Sequence, residues 1–173
     1  MKKHLSFWPF SLLFVACNGQ VPSSRAHCQN ADFDKKVANV LRFSVKTISP
    51  NDVKRQSDIL ILDARERSEY DVSHLPNAVF VGYSNFEKKT LDSISKDRPI
   101  VVYCSIGYRS EKIGERLQKL GYTKVFNLYG SIFEWVNQGN SVVDKNNQPT
   151  KKVHTYNKNW SRWVEEGKAD KVW

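Results

Sequence analysis

Cysteine is scarce in this chain, with three in 173 residues, and what is missing around them narrows the chemistry. Cys17, Cys28 and Cys104 form no C-x-x-C pair and no cluster with histidine, so nothing in the pattern calls for a metal. Eight glycines are too sparsely placed to make a nucleotide-binding fingerprint. No internal repeat and no low-complexity tract interrupts the sequence. There is no apolar run long enough to cross a bilayer: the longest, from Leu5 to Ala16, is broken by Ser6, Pro9 and Ser11. A stripe of one charge is lacking too. The formal net charge is +9, but the basic residues are mixed with acids, as in Glu111-Lys112 and Glu115-Arg116. That is a solvated face and not a nucleic-acid surface, and it leaves only a general attraction to anionic partners or membrane.

What is present suits one globular domain with extensions, at 40% hydrophobic and 26% charged residues. Lys2, Lys3 and His4 precede the short apolar run, which reads as the hydrophobic region of a signal peptide. It ends Phe14-Val15-Ala16-Cys17, and small residues before a cysteine at that point resemble a bacterial lipoprotein cleavage box. The expectation is a leader over residues 1–17 with Cys17 as the lipidated residue, and an exported protein tethered to membrane only through that anchor. An ordinary cleaved leader and an uncleaved N-terminus are the alternatives. Residues 18–32 then read as a tether.

From there strand and helix patterns alternate. Strands are expected near Val45–Ile48, Ile59–Leu62, Val79–Val81, Ile100–Tyr103 and Val125–Leu128. Helices are expected near Phe33–Phe43, Pro50–Gln56, Arg67–Tyr70, Phe86–Ile94, Ser110–Leu120 and Ser131–Gln138. Near-continuous apolar strands alternating with helices imply an α/β domain over residues 33–140, a mostly parallel five-stranded sheet covered by helices on both faces. The extension over 141–173 reads as a hairpin of Val142-Val143 with Val153–Tyr156, then a short helix around Trp160 and Trp163. Its aromatics are expected to pack on the core, with a lip over the active site or a partner surface as the second reading.

The most telling feature is the run Cys104-Ser105-Ile106-Gly107-Tyr108-Arg109-Ser110. It lies between a buried strand and a helix, at the carboxyl end of the sheet, where ligands bind in open α/β folds. Unpaired N–H groups in the first helical turn, and the helix dipole, stabilise an anionic sulfur there. Gly107 lets the backbone take positive φ and turn its N–H groups inward. Arg109 adds a charge that cannot be lost, and Ser110 helps cap the helix. Ile106 and Tyr108 are expected at the rim. The loop is an anion cradle with a nucleophile at its floor.

These residues resemble the active loop of single-domain rhodaneses, C-x-x-G-x-R-S. Further motifs follow the family's order over roughly residues 44–138. Ile61-Leu62-Asp63-Ala64-Arg65 with Glu69-Tyr70 is similar to L-I-D-V-R-…-E-[FY]. Ser73-His74-Leu75-Pro76-Asn77-Ala78 is similar to G-H-I-P-G-A, and Leu128-Tyr129-Gly130-Ser131-Ile132 with Trp135 to L-x-G-G-[IM]-…-W. The resemblance implies a rhodanese-like fold and a sulfurtransferase, without a cofactor, that carries sulfane sulfur as a persulfide on Cys104. The sulfur passes from a small donor such as thiosulfate or polysulfide to cyanide, a thiol or a protein acceptor. Many thiosulfate-using members have a second Arg directly after the cysteine, where this chain has Ser105-Ile106. Asn77 and Ser131 stand where the family has glycine.

Four residues separate Cys104 from Arg109, against five in the phosphatase relatives of the fold. The smaller cradle suits one sulfur better than a tetrahedral phosphate, and leaves a cysteine-based phosphatase or arsenate reductase as the lesser enzymatic alternative. A non-catalytic binding or sulfur-sensing module is the other. Asp63 and Arg65, at the same sheet edge, are supporting residues, with Arg65 read as pairing with Glu69. His74 is read as structural, and Cys28 as a spectator with pairing or persulfide resolution as alternatives.

Overall fold

A computed structural model describes residues 26–173; the leader read over residues 1–17, with Cys17, lies outside the described residues. Five strands form one sheet: β1 (Lys46–Ile48), β2 (Leu60–Asp63), β3 (Val79–Phe80), β4 (Ile100–Tyr103) and β5 (Val125–Leu128). Their order is β1-β5-β4-β2-β3 and every pairing is parallel. β4 sits in the middle, so its apolar run is buried on both faces, as a central parallel strand requires. Because side chains alternate along a strand, Val101 and Tyr103 join one hydrophobic layer. Ile100 and Val102 join the other.

The first layer holds α1 (Ala31–Val40) and α5 (Ser131–Asn137), through Phe33, Val37, Ile132 and Phe133. The second holds α4 (Tyr108–Lys119), through Ile113 and Leu117. Two short helices, α2 (Pro50–Lys54) and α3 (Arg67–Val72), complete the crossovers. Asn30 caps α1, its side chain accepting from the Phe33 N–H, and Ser49 caps α2 ahead of Pro50. Of the stretch read as a tether, residues 28–30 dock against the domain. Cys28 is buried and its N–H donates to Asp34 at 2.8 Å.

Three local readings differ from the structure. The segment expected as a helix near Phe86–Ile94 contains only a 3₁₀ turn over Lys88–Leu91; Thr90, Asp92 and Ser93 are all weak helix formers. The helix after the Cys104 loop starts at Tyr108 rather than Ser110. Gly107, at φ 122°, turns the chain straight into it. In the extension, β6 (Val142–Val143) pairs antiparallel with β7 (Pro149–Thr150), while β8 (Lys152–His154) pairs parallel with β9 (Asp170–Val172). The expected hairpin partner, Val153–Tyr156, instead leads into α6 (Lys158–Ser161).

The extension lies on the first layer. Trp163 stacks on Phe33 with ring centroids 5.6 Å apart. The buried Asn137 side chain donates to the Trp163 carbonyl and accepts from the Glu165 N–H, so α5 and the tail share their polar groups as well as their apolar ones.

Candidate active site

Cys104 follows β4 directly, and its side chain is buried at the floor of a cavity of about 630 Å³. Its Sγ accepts the Gly107 N–H at 3.2 Å and lies 3.6 Å from the Ser110 hydroxyl. Burial works against ionisation, but the Arg109 charge, the Ser110 hydroxyl and the N–H groups of Ser110 and Gly107 outweigh it and hold the thiol below its ordinary value. The cradle is therefore built to keep an anionic sulfur.

Its frame is equally specified. Ser110 Oγ also reaches Gly107 O at 3.1 Å and Asn127 Oδ1 at 2.7 Å, and Asn127 Nδ2 donates to Gly107 O at 3.0 Å. The first amides of α5 take the carbonyls on the other side: Ile132 N–H donates to Cys104 O and Phe133 N–H to Ser105 O. Ser131 Oγ accepts the Cys104 N–H and lies 3.1 Å from Leu128 O, to which it donates. Ser131 and Asn77, the two residues in place of glycine, both keep the left-handed backbone, at φ 53° and 61°. The turns are retained, and at Ser131 the side chain adds a link to the nucleophile's own N–H.

Arg109 and Glu69 form the site's main ion pair. Nη1 donates to Oε2 at 2.6 Å and Nη2 to Oε1 at 2.8 Å. Ser105 completes it, accepting from Arg109 Nη2 at 3.0 Å and lying 3.3 Å from Glu69 Oε1. Burial alone would push the Glu69 carboxyl up, yet Arg109, and Arg65 more weakly, hold it below the carboxylate range. Arg65 does not pair with Glu69 as expected. It lies on Asp63, Nη2 to Oδ2 at 2.7 Å with both side chains fully buried, and donates to Ser73 O. Asp63 also accepts the Tyr103 hydroxyl at 2.5 Å, which in turn accepts the Leu75 N–H. Asp63 and Arg65 thus form a strut behind the loop and do not line the cavity. His74 is buried, its ring stacked on Tyr70 with centroids 3.8 Å apart.

Of the expected rim residues, Ile106 is buried in the wall, whereas Tyr108 stands at the mouth, 48% exposed. Tyr156 and Trp160, from the extension, face the cavity with them. Cys28 is buried, and burial, with Glu134 and Asp34 nearby, pushes its thiol far up, which makes it an inert packing group in the folded state. Among the described residues, no group of three or more His, Cys, Asp or Glu side chains is placed to hold a metal. No helix among them is long and apolar enough to cross a membrane.

The family model described as rhodanese-like domain matches residues 49–138, just over half of the chain. The chain belongs to the rhodanese-like family. Over 81 residues it is 27% identical to a thiosulfate sulfurtransferase GlpE of Coxiella burnetii, covering 47% of this chain and 75% of that one. Over 86 residues it is 37% identical to a tRNA uridine(34) hydroxylase of Aster yellows witches'-broom phytoplasma, covering 47% of this chain but only 28% of that protein. Among solved structures, a rhodanese-related protein of Thermoplasma volcanium superposes with a TM-score of 0.51 at 27% identity, over 57% of this chain and 97% of that one. The rhodanese-like domain of an Anabaena protein gives 0.53 at 22% identity, over 57% and 78%, and shows the shared fold. The rhodanese-like match ends at residue 138, so Tyr156 and Trp160 lie beyond it.

Proposed function

We propose that the protein is a sulfurtransferase that carries sulfane sulfur on Cys104. The observation that supports this most is the cradle itself: a thiol held toward its anion, at the floor of a cavity, in a rhodanese-like loop with four residues between Cys104 and Arg109. The Cys104 thiolate attacks the outer sulfur of a donor such as polysulfide or thiosulfate. The donor's S–S bond breaks and its remainder leaves with the electron pair. The persulfide anion stays in the cradle of N–H groups until cyanide or a thiol, free or on a protein, attacks its outer sulfur and releases Cys104. Two half-reactions through one covalent intermediate require ping-pong kinetics.

Arg109 and Glu69 act as a rigid pair that sets the field at the sulfur. With Ser105 where many thiosulfate users carry a second Arg, one cation and not two faces the loop among the described residues. That favours polysulfide or an organic persulfide over thiosulfate. Initial rates with polysulfide and cyanide should give parallel double-reciprocal lines, and Cys104→Ser should abolish turnover; full transfer by that variant would sink the mechanism. A persulfide that forms and passes to no acceptor would point instead to a sensing module.

The leader reading places the same chemistry outside the cytosol, anchored through Cys17. Lipid labelling lost on Cys17→Ala would support it, and a soluble product with Met1 intact would exclude it.

A further inference from the structure

The cavity, to which the extension adds Tyr156 and Trp160, is far larger and more apolar than cyanide or a small sulfur oxyanion needs. About 630 Å³ falls in the range of sites that enclose drug-sized organic molecules. Tyr83, Tyr108, Tyr156 and Trp160 bring four aromatic rings to it, and Val40 and Ile106 add aliphatic surface. Charge points the same way. Among the described residues Arg109 is the one cation that lines the cavity, and both of its terminal nitrogens are engaged by Glu69; Lys36 and Arg116 lie against the Trp160 and Tyr83 rings, at 5.1 and 5.8 Å from their centroids, without lining it. The other charged wall residue is the acid Glu66. A dianion would find no free guanidinium fork here.

The backbone is strained to place one of these rings. Tyr156 sits at φ 68°, a conformation rare for a bulky residue and costly enough to be kept only when the surroundings fix it. Its N–H donates to His154 Nδ1 at 3.1 Å, and Asn157 next to it caps α6 by accepting the Trp160 N–H. The outcome is that the Tyr156 ring lies over the Arg109 guanidinium, 5.5 Å from its carbon, with Trp160 beside it in the wall.

We infer that the cavity is the binding site for an uncharged organic thiol bearing an aromatic group, the sulfur acceptor of this enzyme, and that Tyr156 and Trp160 determine that specificity. This rests on the sulfurtransferase reading. In the step, the acceptor thiol gives its proton to the Cys104 persulfide anion, and the resulting thiolate attacks the outer sulfur. A new S–S bond forms on the acceptor, the Cys104 S–S bond breaks, and its electron pair returns to Sγ. The products are the Cys104 thiolate and the acceptor's hydropersulfide, which carries the proton away, so no oxidant or reductant is required.

Two measurements on the full chain separate the pocket from the chemistry. The first is calorimetric binding of benzyl methyl sulfide, which cannot accept sulfur, against 2-(methylthio)ethanol. The second is kcat/KM for sulfur transfer from polysulfide to phenylmethanethiol against 2-mercaptoethanol. The aromatic compound should be preferred by roughly tenfold or more in each, given the apolar area a phenyl ring buries. Tyr156→Gly, which suits the positive φ, and Trp160→Ala should each shrink that preference several-fold. Equal binding and equal transfer, or a preference unmoved in both variants, would overturn the inference while leaving the sulfurtransferase reading standing. Preferential binding of the benzyl sulfide with no transfer to any thiol would keep the aromatic pocket, remove its role as an acceptor site, and count against the sulfurtransferase reading instead.

Discussion

Replacing Arg109 by Gln tests the ion pair on which the site's electrostatics depend. Glu69 is almost fully buried and gives both carboxylate oxygens to Arg109. Removing one partner of such a pair leaves an uncompensated buried charge, which costs about 3–5 kcal/mol. In a chain of this size that is a fall in Tm on the order of 10 °C. The sign with pH follows from Glu69. In the parent its folded carboxyl titrates below the unfolded value, so it contributes stability that is complete above the unfolded carboxylate pKa and disappears as pH falls through the folded one. In the variant burial dominates and raises the carboxyl, so the penalty is greatest near neutral pH and fades once Glu69 takes up a proton. The gap in Tm between parent and variant should therefore narrow in acid, from the full value near pH ~7 to a fraction of it near pH ~4. The same substitution removes the main attraction opposing burial at Cys104, so the thiolate's ultraviolet absorbance should titrate at higher pH than in the parent. Thermal melts across this range and a thiolate titration check both. A gap below about 1 kcal/mol, or one that does not change with pH, would refute the assignment of Arg109 and Glu69 as a buried pair.

Three further outcomes follow from the same structure. Ser110→Ala removes a hydroxyl that holds the sulfur, a carbonyl and Asn127 together, and should raise the Cys104 titration midpoint while slowing persulfide formation. Ser131→Ala orphans the buried Cys104 N–H at a residue already in the left-handed region, and should cost about 1–3 kcal/mol in denaturant unfolding; Ser131→Gly, which relieves the backbone, should cost less. Gly114→Ala sets a Cβ 2.9 Å from the Val45 side chain and should lower stability by about 1–3 kcal/mol, since helix α4 approaches β1 there.

The sheet was readable because its strands are short, mostly apolar runs set between helical patterns, with β4 the clearest as a β-branched run buried at every residue; β4 and β5 have the expected boundaries. The nucleophile and its loop were equally legible, since Cys104, Gly107, Arg109 and Ser110 are close in sequence and their roles are local. What was not legible depends on topology. Glu69 lies forty residues before Arg109, and only the β2–α3 crossover brings it to the loop; Arg65, nearer to Glu69 in sequence, turns instead to Asp63. Ser131 read as a lost glycine, and only its bond to the Cys104 N–H shows what its hydroxyl adds. The Trp-rich tail has two destinations that composition cannot separate. Trp163 joins Phe33 in the core, whereas Tyr156 and Trp160 turn to the cavity because a positive-φ residue and an Asn cap redirect the chain after β8.

If Cys104 stores one sulfur atom, the mass of the intact protein reports it. After incubation with polysulfide and removal of excess donor, the chain should carry one added sulfur, mapped to Cys104 by peptide analysis and lost on addition of cyanide or phenylmethanethiol. An unchanged mass, or an equal adduct on the Cys104→Ser variant, would contradict it.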